Sequence, residues 1–233
     1  MASAVLSPHL DDAVFSCWHV LAGAGDVRVV NVFSGVPAEG TPVPRWDRIT
    51  GALDSAERVR ERLAEDREAL ALAGREAVCL DFVEQQYGVA HPSVEELTSA
   101  FRGLAADVLI APAGIGGHAG HLVVRGAALE LASEGQACRF YADLPYATEF
   151  GWPAWVTGEE AVPYRDVDAA WRADADPLLE AGYRPEVMLL PDEVQRSKLD
   201  AMRCYRSQLT ALDGGPQQRL THPELLRYEV IWS

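Results

Sequence analysis

Ala4-Val5-Leu6-Ser7-Pro8-His9-Leu10-Asp11-Asp12 joins a short apolar run to a histidine and two adjacent carboxylates, and a helical pattern follows it. A buried strand that delivers polar residues at its carboxyl end and then enters a helix is the opening unit of an open α/β sheet, where ligands bind. Far downstream the pattern recurs: Val108-Leu109-Ile110-Ala111-Pro112 leads into Gly116-Gly117-His118-Ala119-Gly120-His121. Two such strand ends, one with His-x-Asp-Asp and one with His-x-x-His, bring metal-ligating residue types to one sheet edge.

Val27–Phe33 and Val78–Phe82 read as further strands, because runs apolar on both faces suit a buried parallel sheet. Asp12–Ala22, Ser55–Ala73, Ser93–Leu104 and Leu122–Ala132 read as the intervening helices, with Ser93 and Glu96 spaced as a capping box. A strand at Glu186–Leu190, a helix over Pro191–Tyr205 and a final strand at Tyr228–Trp232 close the chain. The alternation predicts a Rossmann-like α/β fold, a mostly parallel sheet with helices on both faces, in one domain over residues 1–233. Two stretches break the rhythm. Val36–Thr50 is rich in Pro and Gly and reads as a loop; Tyr146–Ala175 reads as irregular and carries Trp152, Trp155, Tyr164 and Trp171. These aromatic loops fit either a wall of the site or a contact with a second copy in a homo-oligomer.

With 233 residues, 48% of them hydrophobic, the chain has enough apolar material for a sizeable core. Its formal charge of −15 argues against nucleic acid and anionic membrane surfaces as partners. It favours neutral or cationic small molecules. Lys198 is the single lysine; arginine supplies every other basic side chain, which with the abundant alanine suggests a bacterial source of high GC content. Cys17, Cys79, Cys138 and Cys204 form no CxxC pair and read as buried thiols. No signal-peptide pattern opens the chain and no apolar run reaches the ~20 residues of a membrane span, so the expected location is cytoplasmic.

His9, Asp12 and His121 would supply two imidazoles and a carboxylate, a set that suits zinc and also non-haem iron. Asp11 is then free to take a proton from the water that such a metal activates, and His118 to stabilise an oxyanion or protonate a leaving amine. Each motif also has a plain structural reading. Adjacent aspartates before a helix serve as caps, and two histidines three apart share a solvated face.

Together the two motifs resemble the PIG-L (LmbE-like) family of zinc-dependent N-acetylglucosaminyl de-N-acetylases. Supporting matches are Arg62-x-x-Glu65-Asp66 with Ala69-Leu70 and Gly74, Asp143-Leu144-Pro145-Tyr146, and Lys198 with Tyr205-Arg206-Ser207-Gln208. The resemblance implies His9, Asp12 and His121 as Zn2+ ligands (Fe2+ being the alternative), Asp11 as general base and His118 as its electrostatic or acid partner. It also implies removal of an N-acyl group, acetyl in the first instance, from an amino sugar or sugar-containing metabolite in antibiotic or other secondary metabolism. Two departures stand out: Gly120 replaces an Asp that the family often places before the final His, and Ala13 replaces a Glu.

For substrate contacts the sequence offers Arg62, Trp46, Asp47 and Tyr146. Arg62 with Asp66 reads equally well as a helix ion pair, and Trp46 as an anchor for its loop. Two alternatives remain at this level: an amidase acting on a non-sugar metabolite, and a non-catalytic nucleotide- or sugar-binding α/β protein. The second lacks a GxGxxG or phosphate loop.

Overall fold

The computed structural model describes residues 1–160, 165–214 and 220–233; Tyr164 lies outside them. The strands, in chain order, are β1 (Ala2–Ser7), β2 (Asp26–Asn31), β3 (Ala77–Cys79), β4 (Val108–Pro112), β5 (Ala137–Tyr141), β6 (Pro185–Leu189) and β7 (Tyr228–Trp232). Among the described residues they form one sheet of order β3-β2-β1-β4-β5-β7-β6. The first five neighbours pair in parallel, and β7 runs antiparallel to both β5 and β6. The expected mostly parallel α/β sheet is therefore present.

The helices are α1 (Asp12–Ser16), α2 (Trp18–Leu21), α3 (Arg45–Ile49), α4 (Ser55–Ala71), α5 (Val94–Arg102), α6 (Ala119–Ser133), α7 (Ala154–Thr157), α8 (Val167–Glu180), α9 (Asp192–Met202), α10 (Leu209–Leu212) and α11 (Pro223–Leu226). α9 packs against both α1 and α4, and α5 packs against α6. The strand order reverses between β1 and β4. Connections from β1 lead to β2 and β3 on one side, and those from β4 lead to β5 on the other, which leaves a crevice at their carboxyl ends. That crevice is where the residues after β1 and β4 emerge.

Several sequence expectations differ from the structure for identifiable reasons. The helix expected over Asp12–Ala22 breaks at Cys17, because the Trp18 and His19 backbone N–H groups donate to the buried Glu229 carboxylate at 2.9 and 3.1 Å. Glu229 thus caps α2 from a strand far away in sequence. β5 escaped the sequence reading; its pattern alternates buried and exposed positions, unlike the fully apolar runs around it. The stretch expected to be irregular contains α8, started by Asp166, whose side chain accepts from Ala169 N. The Ser93 capping box forms as expected. All four cysteines are free, but only Cys17 and Cys138 are buried; Cys79 is exposed, since β3 is an edge strand. Among the described residues no helix is long and apolar enough to cross a membrane.

Candidate active site

Ser7, the last residue of β1, shapes the turn that follows. Its Oγ donates to the His9 carbonyl at 2.6 Å and accepts from Ala13 N at 3.0 Å. Asp12 folds back over this turn, its Oδ2 accepting from His9 N at 2.7 Å. Asp11 occupies the N-cap position of α1 but makes no capping bond through its side chain. The capping explanation of the Asp-Asp pair is therefore not what the structure adopts.

Three donor atoms then meet. His9 Nδ1 lies 3.0 Å from Asp12 Oδ2, His121 Nε2 lies 3.1 Å from the same oxygen, and the two nitrogens are 3.2 Å apart. Ligands about 2.0–2.1 Å from a tetrahedral zinc stand roughly 3.3 Å from one another, so this near-equilateral triangle fits a metal. His9, His118 and His121 offer an alternative set of three imidazoles within 4.8 Å. Asp12 is the better third ligand, because its oxygen is close to both nitrogens and carries the charge that a cation needs. On its other side His121 Nδ1 contacts Asp143 Oδ1 at 2.6 Å, while Asp143 Oδ2 accepts from Ile115 N at 2.8 Å. A carboxylate on the remote nitrogen fixes the tautomer that leaves Nε2 free to ligate. The same side chain braces the loop that leads to His118.

The electrostatics follow from crowding. Burial opposes charge on His9, yet Glu84 and Asp12 override it and hold the imidazole up at about 10. His121 is likewise held up at about 9 against burial by Asp12, and the two imidazoles keep Asp12 well below the usual carboxylate range despite its burial. Burial pushes Asp11 upward, against the favourable charge of Arg62, whose Nη2 is 3.8 Å from Asp11 Oδ1. His118 is depressed to about 4, by burial first and then by its cationic neighbours. Its ring stands edge-on to His9 at 4.8 Å and stacks on Tyr146 at 4.9 Å. His118 Nδ1 is buried without a partner among the described residues, and a Cβ at Gly120 would lie 3.5 Å from it. Gly120, where the sequence departs from the motif it resembles, is thus the position whose side chain would face this nitrogen.

A cavity of about 370 Å³ opens onto these groups, lined by His9, Asp11, Asp12, Trp46, Arg62, Glu84, Gln86, His118, Pro145, Tyr146, Gln208 and Leu212. That is a size for small molecules. Of the sequence candidates for substrate contact, Arg62, Trp46 and Tyr146 line it. Asp47 does not. One residue on from Trp46 along α3, it is turned roughly 100° away and fully buried, neither carboxylate oxygen having a hydrogen bond among the described residues.

Arg62 is not the helix partner of Asp66 either, since Asp66 accepts from Tyr205 Oη and Asn31 Nδ2, both at 2.7 Å. Arg125, one turn beyond His121 on α6, donates to the carbonyls of Ala113 and Asp174 at 2.9 and 2.8 Å. Trp152, Trp155 and Trp171 gather near Trp232, with ring centroids 5.7–6.0 Å apart. Trp155, Trp171 and Trp232 border a separate cavity of about 530 Å³ that contains none of the His and Asp cluster.

Sequence reasoning missed Glu84, Gln86 and Leu212, and quoted Asp143 and Gln208 without a role. Glu84, held down at about 2 by His9 against the effect of burial, follows β3 by five residues. Its position beyond a strand end was the signal available.

Known proteins resemble this chain in sequence and in fold. The PIG-L family, described as GlcNAc-PI de-N-acetylase, matches residues 4–132. A 2'-N-acetylparomamine deacetylase from Streptomyces fradiae is 34% identical over 158 residues, 61% of this chain. The match spans 57% of that relative's length. The crystal structure of the zinc-inhibited form of teicoplanin deacetylase superposes with a TM-score of 0.76 at 24% identity, covering 100% of this chain and 97% of the other. A deacetylase–teicoplanin complex from the teicoplanin pathway gives 0.69 at 23% identity over 100% and 97%. At those identities the two structures establish the fold.

Proposed function

The chain belongs to the PIG-L family, and on that premise we propose that it is a metal-dependent N-deacetylase acting on an amino sugar within an antibiotic intermediate, with the whole 233-residue chain working as one domain. The observation that carries the proposal is the triangle of His9 Nδ1, Asp12 Oδ2 and His121 Nε2 at 3.0–3.2 Å. The choice of substrate is supported by the relative that deacetylates N-acetylparomamine and by a net charge of −15, which favours amino-sugar cations over anionic substrates.

His9, Asp12 and His121 would hold the metal. Zinc is the first choice and ferrous iron the second, since both take a two-histidine, one-carboxylate set. When bound, the ion would polarise the amide carbonyl and lower the pKa of water from ~15.7 to about 7. Asp11 is the base: raised by burial and steadied by Arg62, its carboxylate accepts the proton of the attacking water and returns it to the departing amine. His118, neutral at physiological pH, donates a hydrogen bond to the oxygen that gains charge as water adds. Tyr146 backs the His118 ring and excludes water. Arg62, Trp46 and Tyr146 contact the sugar.

The test is release of acetate from a panel of N-acetylated amino sugars and aminoglycosides by protein loaded with zinc or iron. Asp11→Asn should retain about one metal per chain and lose at least ~10²-fold in kcat, the low end for a general base. Failure to take up either metal, or an Asp11→Asn variant that hydrolyses at the wild-type rate, overturns the assignment.

A further inference from the structure

One wall of the cavity comes from two segments distant in sequence: Trp46 on α3, and Gln208 with Leu212 around α10. α3 is only five residues long, follows a loop rich in Pro and Gly, and has no side-chain cap at Pro44. Trp46 is fastened from the other side of the site, its indole N–H donating to Gln208 Oε1 at 2.6 Å.

Gln208 is itself locked. It is 1% exposed, and its Nε2 donates to Ser207 Oγ at 3.0 Å. Ser207 in turn donates to the buried Glu65 through both its backbone N–H (2.8 Å) and its Oγ (2.7 Å). Two residues earlier, Tyr205 Oη donates to Asp66 Oδ1 at 2.7 Å. An amide has one donor end and one acceptor end. With Ser207 Oγ committed as a donor to Glu65, it receives the amide N–H, and the amide oxygen must face Trp46. The direction of every bond in the series Glu65–Ser207–Gln208–Trp46 is therefore set from α4, the helix that also carries Arg62.

We propose that Gln208 is a positioning residue that holds the Trp46 indole as a fixed wall of the sugar subsite, so that the pair governs which sugar rings the cavity accepts. An aromatic side chain fixed in a cavity wall presents rigid apolar area to a sugar ring. A tryptophan free to leave that position would present much less. The inference rests on the amino-sugar reading above, but the fastening of Trp46 can be measured without substrate.

The experiment compares wild type, Trp46→Phe, Gln208→Met and the double variant. KM and kcat are measured for deacetylation of an N-acetylated amino sugar. Acrylamide quenching of the Trp46 fluorescence is obtained by difference: wild type against Trp46→Phe, and Gln208→Met against the double variant. Each single change removes the Trp46–Gln208 hydrogen bond, and Gln208→Met also removes the bond from Gln208 to Ser207; each should raise KM roughly five- to tenfold, with kcat within about threefold. The double variant should be no worse than the poorer single one, because both remove the same bond. Quenching of Trp46 should increase in Gln208→Met. Wild-type KM and quenching in Gln208→Met, or effects that multiply in the double variant, overturn the proposal. Should Gln208→Met fail to fold, Trp46→Phe breaks the same bond from a partly exposed side chain and carries the KM test alone. If wild type deacetylates no amino sugar, the functional reading has failed, and the quenching comparison still decides whether Gln208 holds Trp46.

Discussion

Replacing Asp143 by Asn keeps the shape of a fully buried side chain and changes only which atoms donate. In the native protein both oxygens accept, one facing His121 Nδ1 at 2.6 Å and one receiving the Ile115 N–H at 2.8 Å. An amide can satisfy one of these. If its oxygen faces His121, its NH2 opposes the Ile115 N–H, and a buried donor is orphaned at a cost of about 1–3 kcal/mol. If its NH2 faces His121, Nδ1 must accept, the ring proton moves to Nε2, and the nitrogen in the triangle with His9 and Asp12 can no longer ligate. Loss of such a support lowers metal affinity about 10- to 100-fold, equivalent to about 1.4–2.8 kcal/mol. Two assays separate the effects: competitive zinc titration of the apo-protein against a chromophoric chelator, and urea unfolding with and without metal. The expected result is a fall of about 1–3 kcal/mol in apo stability, or a loss of at least about tenfold in affinity, or a share of each. Affinity within about twofold of wild type together with an unchanged unfolding midpoint would refute the reasoning.

The surrounding network supports three more. Burial pushes Asp66 up to about 7 from its ordinary 3.8, so the folded state holds a proton that the unfolded state releases; this group's contribution is best below about pH 4 and declines as pH rises through 7. At about 1.36 kcal/mol per pKa unit, Asp66→Asn should gain on wild type by up to roughly 4 kcal/mol between about pH 4 and pH 8 in urea unfolding. Parallel pH dependences would contradict this. Lys198 is fully buried, with Nζ 2.6 Å from Glu229 Oε1; Lys198→Met should cost about 3–5 kcal/mol by leaving a buried charge short of its partner, and Lys198→Met/Glu229→Gln should recover part of it. A loss below about 1 kcal/mol by calorimetry or denaturant would rule that out. Gly120→Asp would set a carboxylate near His118 Nδ1, provided the Phe33 ring yields to a Cβ that would sit 3.2 Å from its Cε2. The His118 pKa should rise from about 4 by about 1–3 units, read by NMR titration, and an unmoved titration would show that the two groups do not meet.

Local physics made part of this protein legible from its residues. Apolar runs such as Val108–Ala111 announce buried parallel strands, the Ser93–Glu96 box starts α5, and His9, Asp12 and His121 declare their chemistry by residue type and by following strands. How those pieces meet was set by the tertiary structure. The reversal of strand order between β1 and β4 brings His9 and His121 within 3.2 Å, which no local pattern encodes. Glu229 breaks the first helix from the far end of the chain, and Asp143 supports His121 from just beyond a strand whose alternating pattern concealed it. On α3, sequence nominated both Trp46 and Asp47; helical geometry sends one into the cavity and buries the other behind it. One cause runs through all of these cases. Propensity and periodicity act over neighbouring residues, whereas the partner of a buried polar atom is chosen by the packing of elements far apart in sequence.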